Sequence, residues 1–369
     1  MYRFFLAAFL SIYSIFLFAQ PPASSPKLKN QSIAAHVPPF FNRFGKELNE
    51  GIPSLGAFLV WHHHTLIYER YFHGAEPQTA FNIKSITKTM VSALAGIAEQ
   101  KGLLPGLDTP VLSLLPEYAK PNRSSSHVWF GDDKAINDSI RATLTLKHLL
   151  TMQAGFDWDD FGPLASAMIS SSDPVRFTFD IPFDGYPGET FNYNTGASII
   201  FGAALAKSVQ TDLRAFADSN LFQPAGIKLL QWDTDPLGRY IGGSEMYMTA
   251  QDLMRFGLLF LHYGVVDDKQ VIPAAWVKES TAAHAKLNSW PVLPGANGYG
   301  YYWWRRKSNG HQAYVASGYG GQLICIVPDL DMVIVTTCYL NQKNRGREEI
   351  KRLHNFIDQL TKASFKSPH

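Results

Sequence analysis

Ser85 and Lys88 stand three apart in Ser85-Ile86-Thr87-Lys88, a spacing that puts both side chains on one face of a helix, close enough to share a proton. There the lysine amine can draw the hydroxyl proton and turn a poor nucleophile into one that attacks carbonyls. The pattern alone is weak, since Ser24 and Lys27 repeat it inside a Pro/Ser-rich stretch. The setting of Ser85 gives it weight. From Ser85 to about Gln100, residues Ile86, Met90, Val91, Leu94 and Ile97 follow helical spacing and small residues fill the other faces. A helix whose first four turns carry Lys88 as their one charge is a buried helix. A lysine there is costly unless it is paired or functional.

Acyl transfer also needs a proton relay and donors for an oxyanion. Ser85 falls where a strand-and-loop segment turns into the helix, at the positive end of the helix dipole. Lys88 must be partly neutral, against an ordinary lysine pKa of about 10.4. Burial and a cationic or phenolic neighbour would lower it. The candidate neighbour is Tyr193, within Gly188–Gly196 (GETFNYNTG), whose phenol can pass the serine proton to a leaving group; an ordinary packing tyrosine is the alternative. A third stretch, Ala316-Ser317-Gly318-Tyr319-Gly320-Gly321, ends a strand-like run. Its glycines, Gly318 and Gly320, would let a substrate lie along the strand edge beside Ser317. One backbone N–H there can join that of Ser85 as an oxyanion hole. A glycine-rich hairpin is the plainer reading of the same residues.

The elements that must position these groups follow from hydrophobic patterning. Leu55–Trp61 and Leu66–Phe72 read as two strands joined in a hairpin at His62-His63-His64-Thr65. Strand alternation would splay the three histidines, and no acidic or cysteine partner has ligand spacing nearby, so turn histidines are favoured over a metal site. Short helices are expected at Leu144–Met152 and Ala197–Val209, and another opens at Thr249 with Asp252 in a capping-box-like start. Between the first two, Gly155–Gly162 is a loop carrying Trp158 and three aspartates. Strands return at Tyr299–Arg305, His311–Ser317, Leu323–Val327 and Met332–Cys338, before a helix over about Arg347–Leu360. Strands at both ends with helices between predict an α/β (α+β) fold, an antiparallel sheet flanked by helices with an inserted, mostly helical domain. The sheet domain would comprise residues 51–84 and 241–369 and the helical domain 85–240, with residues 20–50 as linker and lead-in.

The 369 residues, 46% hydrophobic and 13% aromatic, suffice for a large core. A net charge of +2 with no basic block argues against nucleic acid as a partner. Arg3, the apolar run Phe4–Phe18 and Ala19 read as a signal peptide over residues 1–19. The run falls short of the roughly 20 residues of a membrane span, although an uncleaved anchor is the competing reading. A secreted or periplasmic protein without a stable span after cleavage is expected. Cys325 would sit opposite a residue near 334 in a tight hairpin, out of register with Cys338, so both cysteines read as small buried hydrophobes.

Phe81–Lys88, the apolar helix after it and Leu107-Asp108-Thr109-Pro110-Val111 resemble the serine beta-lactamase-related and penicillin-binding-protein superfamily. The resemblance is to its class C-like branch of esterases, D-amino-acid peptidases and nylon-oligomer hydrolases. Thr145–Gly155, Phe191–Gly196, Gly242–Phe256 and Tyr299–Trp303 resemble further landmarks in the right order, over roughly residues 50–340. The resemblance implies a beta-lactamase-like fold, catalytic Ser85, Lys88 and Tyr193, and oxyanion N–H groups from Ser85 and Tyr319. Trp158 and its neighbouring aspartates, Asp157 among them, resemble the loop that roofs the substrate cleft. Two departures stand out. The branch's Tyr-x-Asn here ends in Thr195, and its Lys-Thr-Gly or His-x-Gly reads Ala316-Ser317-Gly318, which weakens recognition of a beta-lactam carboxylate.

The chain has no G-x-S-x-G elbow, H-E-x-x-H, Walker loop or G-x-G-x-x-G, and neither a metal nor another cofactor is implied. The expected function is a serine hydrolase acting on a small-molecule or peptide-like amide or ester, with a D-alanyl-type carboxypeptidase or weak beta-lactamase within that class. A non-catalytic peptidoglycan-binding or sensor relative is the alternative, opposed by the presence of Ser85, Lys88 and Tyr193 together. Trp158, Phe161, Tyr186 and Tyr319 suggest aromatic surroundings for an uncharged or partly apolar acyl group.

Overall fold

The computed structural model describes residues 40–120, 134–287, 293–340 and 347–363. The expected signal peptide lies outside them. The chain opens with helix α1 (Phe40–Gly51), then strands β1 (Leu55–His62), β2 (Thr65–Tyr71) and the short β3 (Phe81–Asn82), and the buried helix α2 (Ile86–Gln100). Seven short or medium helices follow: α3 (Val111–Leu114), α4 (Lys134–Ala142), α5 (Leu146–Leu150), α6 (Pro163–Ile169), α7 (Pro174–Phe179), α8 (Thr195–Val209) and α9 (Leu213–Ala217). Strands β4 (Gln231–Trp232) and β5 (Met246–Met248) lead to α10 (Ala250–Leu261), the hairpin β6–β7 (Val265–Val266 and Lys269–Gln270) and α11 (Ala274–Ser280). Strands β8 (Ala296–Tyr299), β9 (Trp304–Ser308), β10 (His311–Gly318), β11 (Gln322–Val327) and β12 (Met332–Cys338) precede α12 (Arg347–Lys362).

The main sheet has seven strands in the order β2-β1-β12-β11-β10-β9-β8, and each neighbouring pair is antiparallel. The amino-terminal hairpin therefore joins the carboxy-terminal meander through β1 and β12. Every residue of β1, β11 and β12 is buried, as expected of strands covered on both faces. On one face Phe44 of α1 packs edge-on against Phe58 of β1 and Phe356 of α12. On the other, α10 crosses β1, β11 and β12, and α2 touches β10 and β11. The register pairs Cys325 with Ile334, and both cysteines are free and buried.

Two elements differ from the sequence expectation. Residues 40–51, within the expected lead-in, form α1, because Phe41, Phe44 and Leu48 recur at helical spacing and all three are buried. The aromatic run 299–305, expected as one strand, is broken. Gly300 donates its N–H to the Trp303 carbonyl at 2.8 Å, and Tyr302 takes a left-handed φ of +67°. The turn lets the aromatic rings face helices instead of alternating across a sheet. Trp303 packs on Phe256 and Phe260 of α10, and Tyr301 on Trp276 of α11.

The hairpin histidines sit at the β1–β2 turn, with His63 and His64 at φ of +46° and +62° and each within 4 Å of Asp331. Among the described residues no group of three or more His, Cys, Asp or Glu could hold a metal ion, and no helix is long and apolar enough to cross a membrane.

Candidate active site

Ser85 is the N-cap of α2, and its side chain makes no capping hydrogen bond. The preceding Lys84 has a φ of +50°, an uncommon conformation for a non-glycine residue. It is held from two sides. Its N–H donates to Asn82 Oδ1 at 3.0 Å, and its amine meets Glu245 at 2.8 Å. Burial opposes ionisation of Glu245, yet hydrogen bonds from Lys84 and Asn82 and the Lys84 charge hold its carboxyl below the usual range. None of these three residues stood out in the sequence. Their pairing joins positions 161 and 163 residues apart and arises because β3 and β5 are neighbours in the small sheet.

Lys88 lies one helical turn beyond Ser85 and is only 1% exposed. Its Nζ lies 2.9 Å from Ser85 Oγ, 3.2 Å from Thr195 Oγ1 and 2.8 Å from the Gly243 carbonyl oxygen. Burial lowers its pKa to about 8, against the opposing pull of the Asp160 and Glu245 carboxylates. At neutral pH a usable fraction is therefore uncharged, as a general base requires. Gly243 can approach this closely because it lacks a side chain; a Cβ there would stand 2.5 Å from Ser198 Oγ.

Tyr193, immediately before the Asn194 cap of α8, brings its ring within 5.3 Å of the Lys88 amine. The ring stacks on Trp304 with centroids 5.5 Å apart and meets Tyr299 edge-on. Burial, and secondarily the Asp160 charge, push the phenol well above the usual range, against a hydrogen bond with Ser85 that pulls the other way. Such a phenol stays protonated at neutral pH and can donate a proton. Thr195, the first residue of α8, completes the cluster.

The aspartates of the Gly155–Gly162 loop divide their roles. Asp157 is exposed, with its N–H tied to the Pro182 carbonyl at 2.9 Å. Asp159 accepts the Phe161 N–H within its own turn. Asp160 reaches the site: its Oδ1 accepts the Thr195 N–H at 2.6 Å and Trp158 Nε1–H at 2.9 Å, and its Oδ2 accepts the Thr195 hydroxyl at 3.0 Å. Trp158 is 95% buried, its relative exposure being 5%, so its indole braces the loop from inside. From the sequence, Asp157 was the aspartate expected to bind substrate, whereas the one that meets Thr195 is Asp160.

At the end of β10, Gly318 abuts the segment leading to Ser85; a Cβ at Gly318 would stand 2.3 Å from the Ile83 carbonyl oxygen. This contact fixes the β10–β11 turn, with Tyr319 and Gly320, next to the start of α2. Ser317 lies on β10 opposite Leu323. Ala316, opposite Ile324, is fully buried.

A cleft of about 630 Å³ opens beside Thr195, Ser244 and Glu245. Ile169, Val175, Ile199 and Ile241 give it an aliphatic wall, and Asp233 adds a carboxylate. Arg239 braces another side through ion pairs of 2.6 Å to Asp173 and Asp235. Neither Ser85, Lys88 nor Tyr193 is among the residues that line it, nor are Trp158, Phe161, Tyr186 and Tyr319, the last three of which are exposed.

An antiparallel sheet joining both chain ends, with a serine at the head of its buried helix and a lysine one turn on, defines the beta-lactamase-like fold. The chain belongs to the Beta-lactamase family, whose sequence model matches residues 41–359. Among solved structures it resembles a Bacillus anthracis protein named as a candidate 6-aminohexanoate-dimer hydrolase, at 20% identity and a TM-score of 0.69, covering 91% of this chain and 89% of that one. It also resembles EstCE1, a hydrolase with promiscuous acyltransferase activity, at 18% identity and a TM-score of 0.62, with 84% and 95% covered. A class C beta lactamase from Rhodobacter sphaeroides matches at 17% identity and a TM-score of 0.59, with 87% and 99% covered. No curated protein sequence matches the chain at a significant level.

Proposed function

We propose that the protein is a serine hydrolase that cleaves an amide or ester through an acyl-enzyme on Ser85. The observation that carries this reading is the buried Lys88 amine, 2.9 Å from a serine hydroxyl left uncapped at a helix start. In the proposed reaction neutral Lys88 takes the Ser85 proton as Oγ attacks the acyl carbonyl. The N–H groups of Ser85 and Tyr319 receive the oxyanion, and the protonated phenol of Tyr193 delivers a proton to the leaving group. Water then attacks the acyl carbonyl, giving a proton to the Tyr193 oxygen, and Ser85 leaves the acyl group by taking back the proton held on Lys88. The names of the relatives, which include a hydrolase with acyltransferase activity and a class C beta lactamase, are in keeping with acyl transfer.

A fluorophosphonate probe tests the nucleophile. The expected result is one adduct per chain, mapped by mass spectrometry to the peptide containing Ser85 and lost in Ser85→Ala. A protein that stays unlabelled, or is labelled elsewhere, would be a binder or would use another nucleophile.

Beta-lactams are expected to be poor substrates. Ala316 stands buried where relatives of this branch place a cation, and a charge-assisted contact to a carboxylate contributes about 1.5–3 kcal/mol. Hydrolysis of a chromogenic cephalosporin should therefore have a kcat/KM at least about 10-fold below that of a simple nitrophenyl ester. Comparable values for the two would refute the role assigned to Ala316.

Export is proposed from the apolar run Phe4–Phe18 before Ala19. Expression with its own leader should yield a mature chain starting near Gln20; an intact amino terminus in the membrane fraction would favour an anchor.

A further inference from the structure

The three oxygens around the Lys88 amine differ in what they can do. The Gly243 carbonyl can only accept, whereas the Ser85 and Thr195 hydroxyls can each donate or accept. A neutral amine has two N–H bonds and one lone pair, and it takes the serine proton only when that lone pair faces Ser85. Gly243 occupies one N–H at 2.8 Å. The second N–H needs an acceptor whose own proton is committed elsewhere.

Thr195 meets that condition. Its hydroxyl proton goes to Asp160 Oδ2 at 3.0 Å, and its backbone N–H goes to Oδ1 at 2.6 Å. An ionised carboxylate only accepts, so the direction of each bond is set. Trp158 donates to the same Oδ1 at 2.9 Å and holds the carboxylate in place. With its proton committed, Thr195 Oγ1 offers Lys88 a lone pair at 3.2 Å.

We propose that Asp160 is a positioning residue that acts through the Thr195 hydroxyl, turning both Lys88 N–H bonds away from Ser85 and aiming the amine lone pair at it. The proposal rests on the reading of Ser85 as nucleophile and Lys88 as base. It explains how a threonine serves where relatives of this branch have an asparagine. An amide oxygen accepts without assistance, whereas a hydroxyl must first be made to accept.

The charges facing Lys88 make the effect readable in a pH profile. They are Asp160, from the loop before α6, and Glu245, which precedes β5 and is paired with Lys84; the Tyr193 phenol is neutral. Asp160 raises the Lys88 pKa against burial. Removing its charge should therefore shift the ascending limb of activity to lower pH while the plateau falls. A side chain that only supplied charge would shift the limb and leave the plateau intact.

The test is a cycle of Asp160→Asn, Thr195→Val and the double variant, with Thr195→Ser as the conservative control. The readouts are nitrophenyl-ester turnover against pH, the rate of fluorophosphonate labelling and the melting temperature. Asp160→Asn and Thr195→Val should each lower the plateau by about 10- to 100-fold, as misorientation of a reacting group does. The double variant should be little worse than either, and Thr195→Ser should stay near wild type. Thr195→Val keeps Asp160 and its bonds to the Thr195 N–H position and Trp158, so its loss reads the hydroxyl even if Asp160→Asn folds poorly. Losses that multiply in the double variant, or an unchanged plateau in Thr195→Val, would overturn the relay while leaving Ser85 as nucleophile. A wild-type protein that is not labelled would overturn the nucleophile reading, and the relay with it.

Discussion

Ser85→Ala, Lys88→Ala and the double variant are expected to lose turnover by about the same factor, on the order of 10⁴-fold or more. The reason is geometric. With the amine 2.9 Å from the hydroxyl, the two side chains form one proton-transfer unit, and removing either leaves the other without a partner. Units of this kind are strongly non-additive. Melting temperatures separate chemistry from folding: Ser85→Ala removes a hydroxyl that makes no cap bond and should leave stability within about 1 kcal/mol of wild type. Lys88→Ala also strands the Gly243 carbonyl and opens a cavity, so Lys88→Met serves as the better-filled control. Full multiplication of the two single losses would show that Ser85 and Lys88 act independently.

Tyr193→Phe should cost amide turnover about 10²–10⁴-fold and activated-ester turnover much less. Burial keeps the Tyr193 phenol protonated through the neutral range, so its role is to donate. An amine must gain a proton before it departs, whereas a nitrophenolate leaves without one. Phenylalanine retains the ring that stacks on Trp304, which isolates the hydroxyl. Small losses on both substrates would mark a packing tyrosine. Equal, large losses would assign the phenol to activation of Ser85 instead.

How much of this site was legible in the sequence depends on how local each signal is. Ser85 and Lys88 could be paired because a helix fixes the geometry of residues three apart, and the apolar surroundings exposed Lys88 as an anomaly. Tyr193 and Thr195 were reached through resemblance and motif spacing. Asp160 was not singled out. Choosing it over Asp157 and Asp159 requires the path of the Gly155–Gly162 loop, which depends on Trp158 folding inward to meet its carboxylate. The Lys84–Glu245 pair was equally hidden, since it exists only because β3 and β5 are neighbours.

The fold shows the same division. The sheet strands β10, β11 and β12 followed from short apolar runs and their turns. The break at 300–303 did not, because closely spaced aromatics give the same signal in a strand and in a buried turn, and the partners that decide between them lie on α10 and α11. Helix α1 was readable in the spacing of Phe41, Phe44 and Leu48, but the proline- and serine-rich stretch before it masked that signal.

The pH dependence of fluorophosphonate labelling at Ser85 tests the central claim most directly, because it reads acylation-type chemistry without a leaving-group requirement specific to one substrate. Labelling by neutral Lys88 as base requires a rate that rises with pH through an apparent pKa of about 8. That limb should persist in Tyr193→Phe and disappear in Lys88→Met along with most of the rate. A labelling rate that stays flat from about pH 6 to pH 10, or a limb unchanged in Lys88→Met, would contradict a lysine-activated serine.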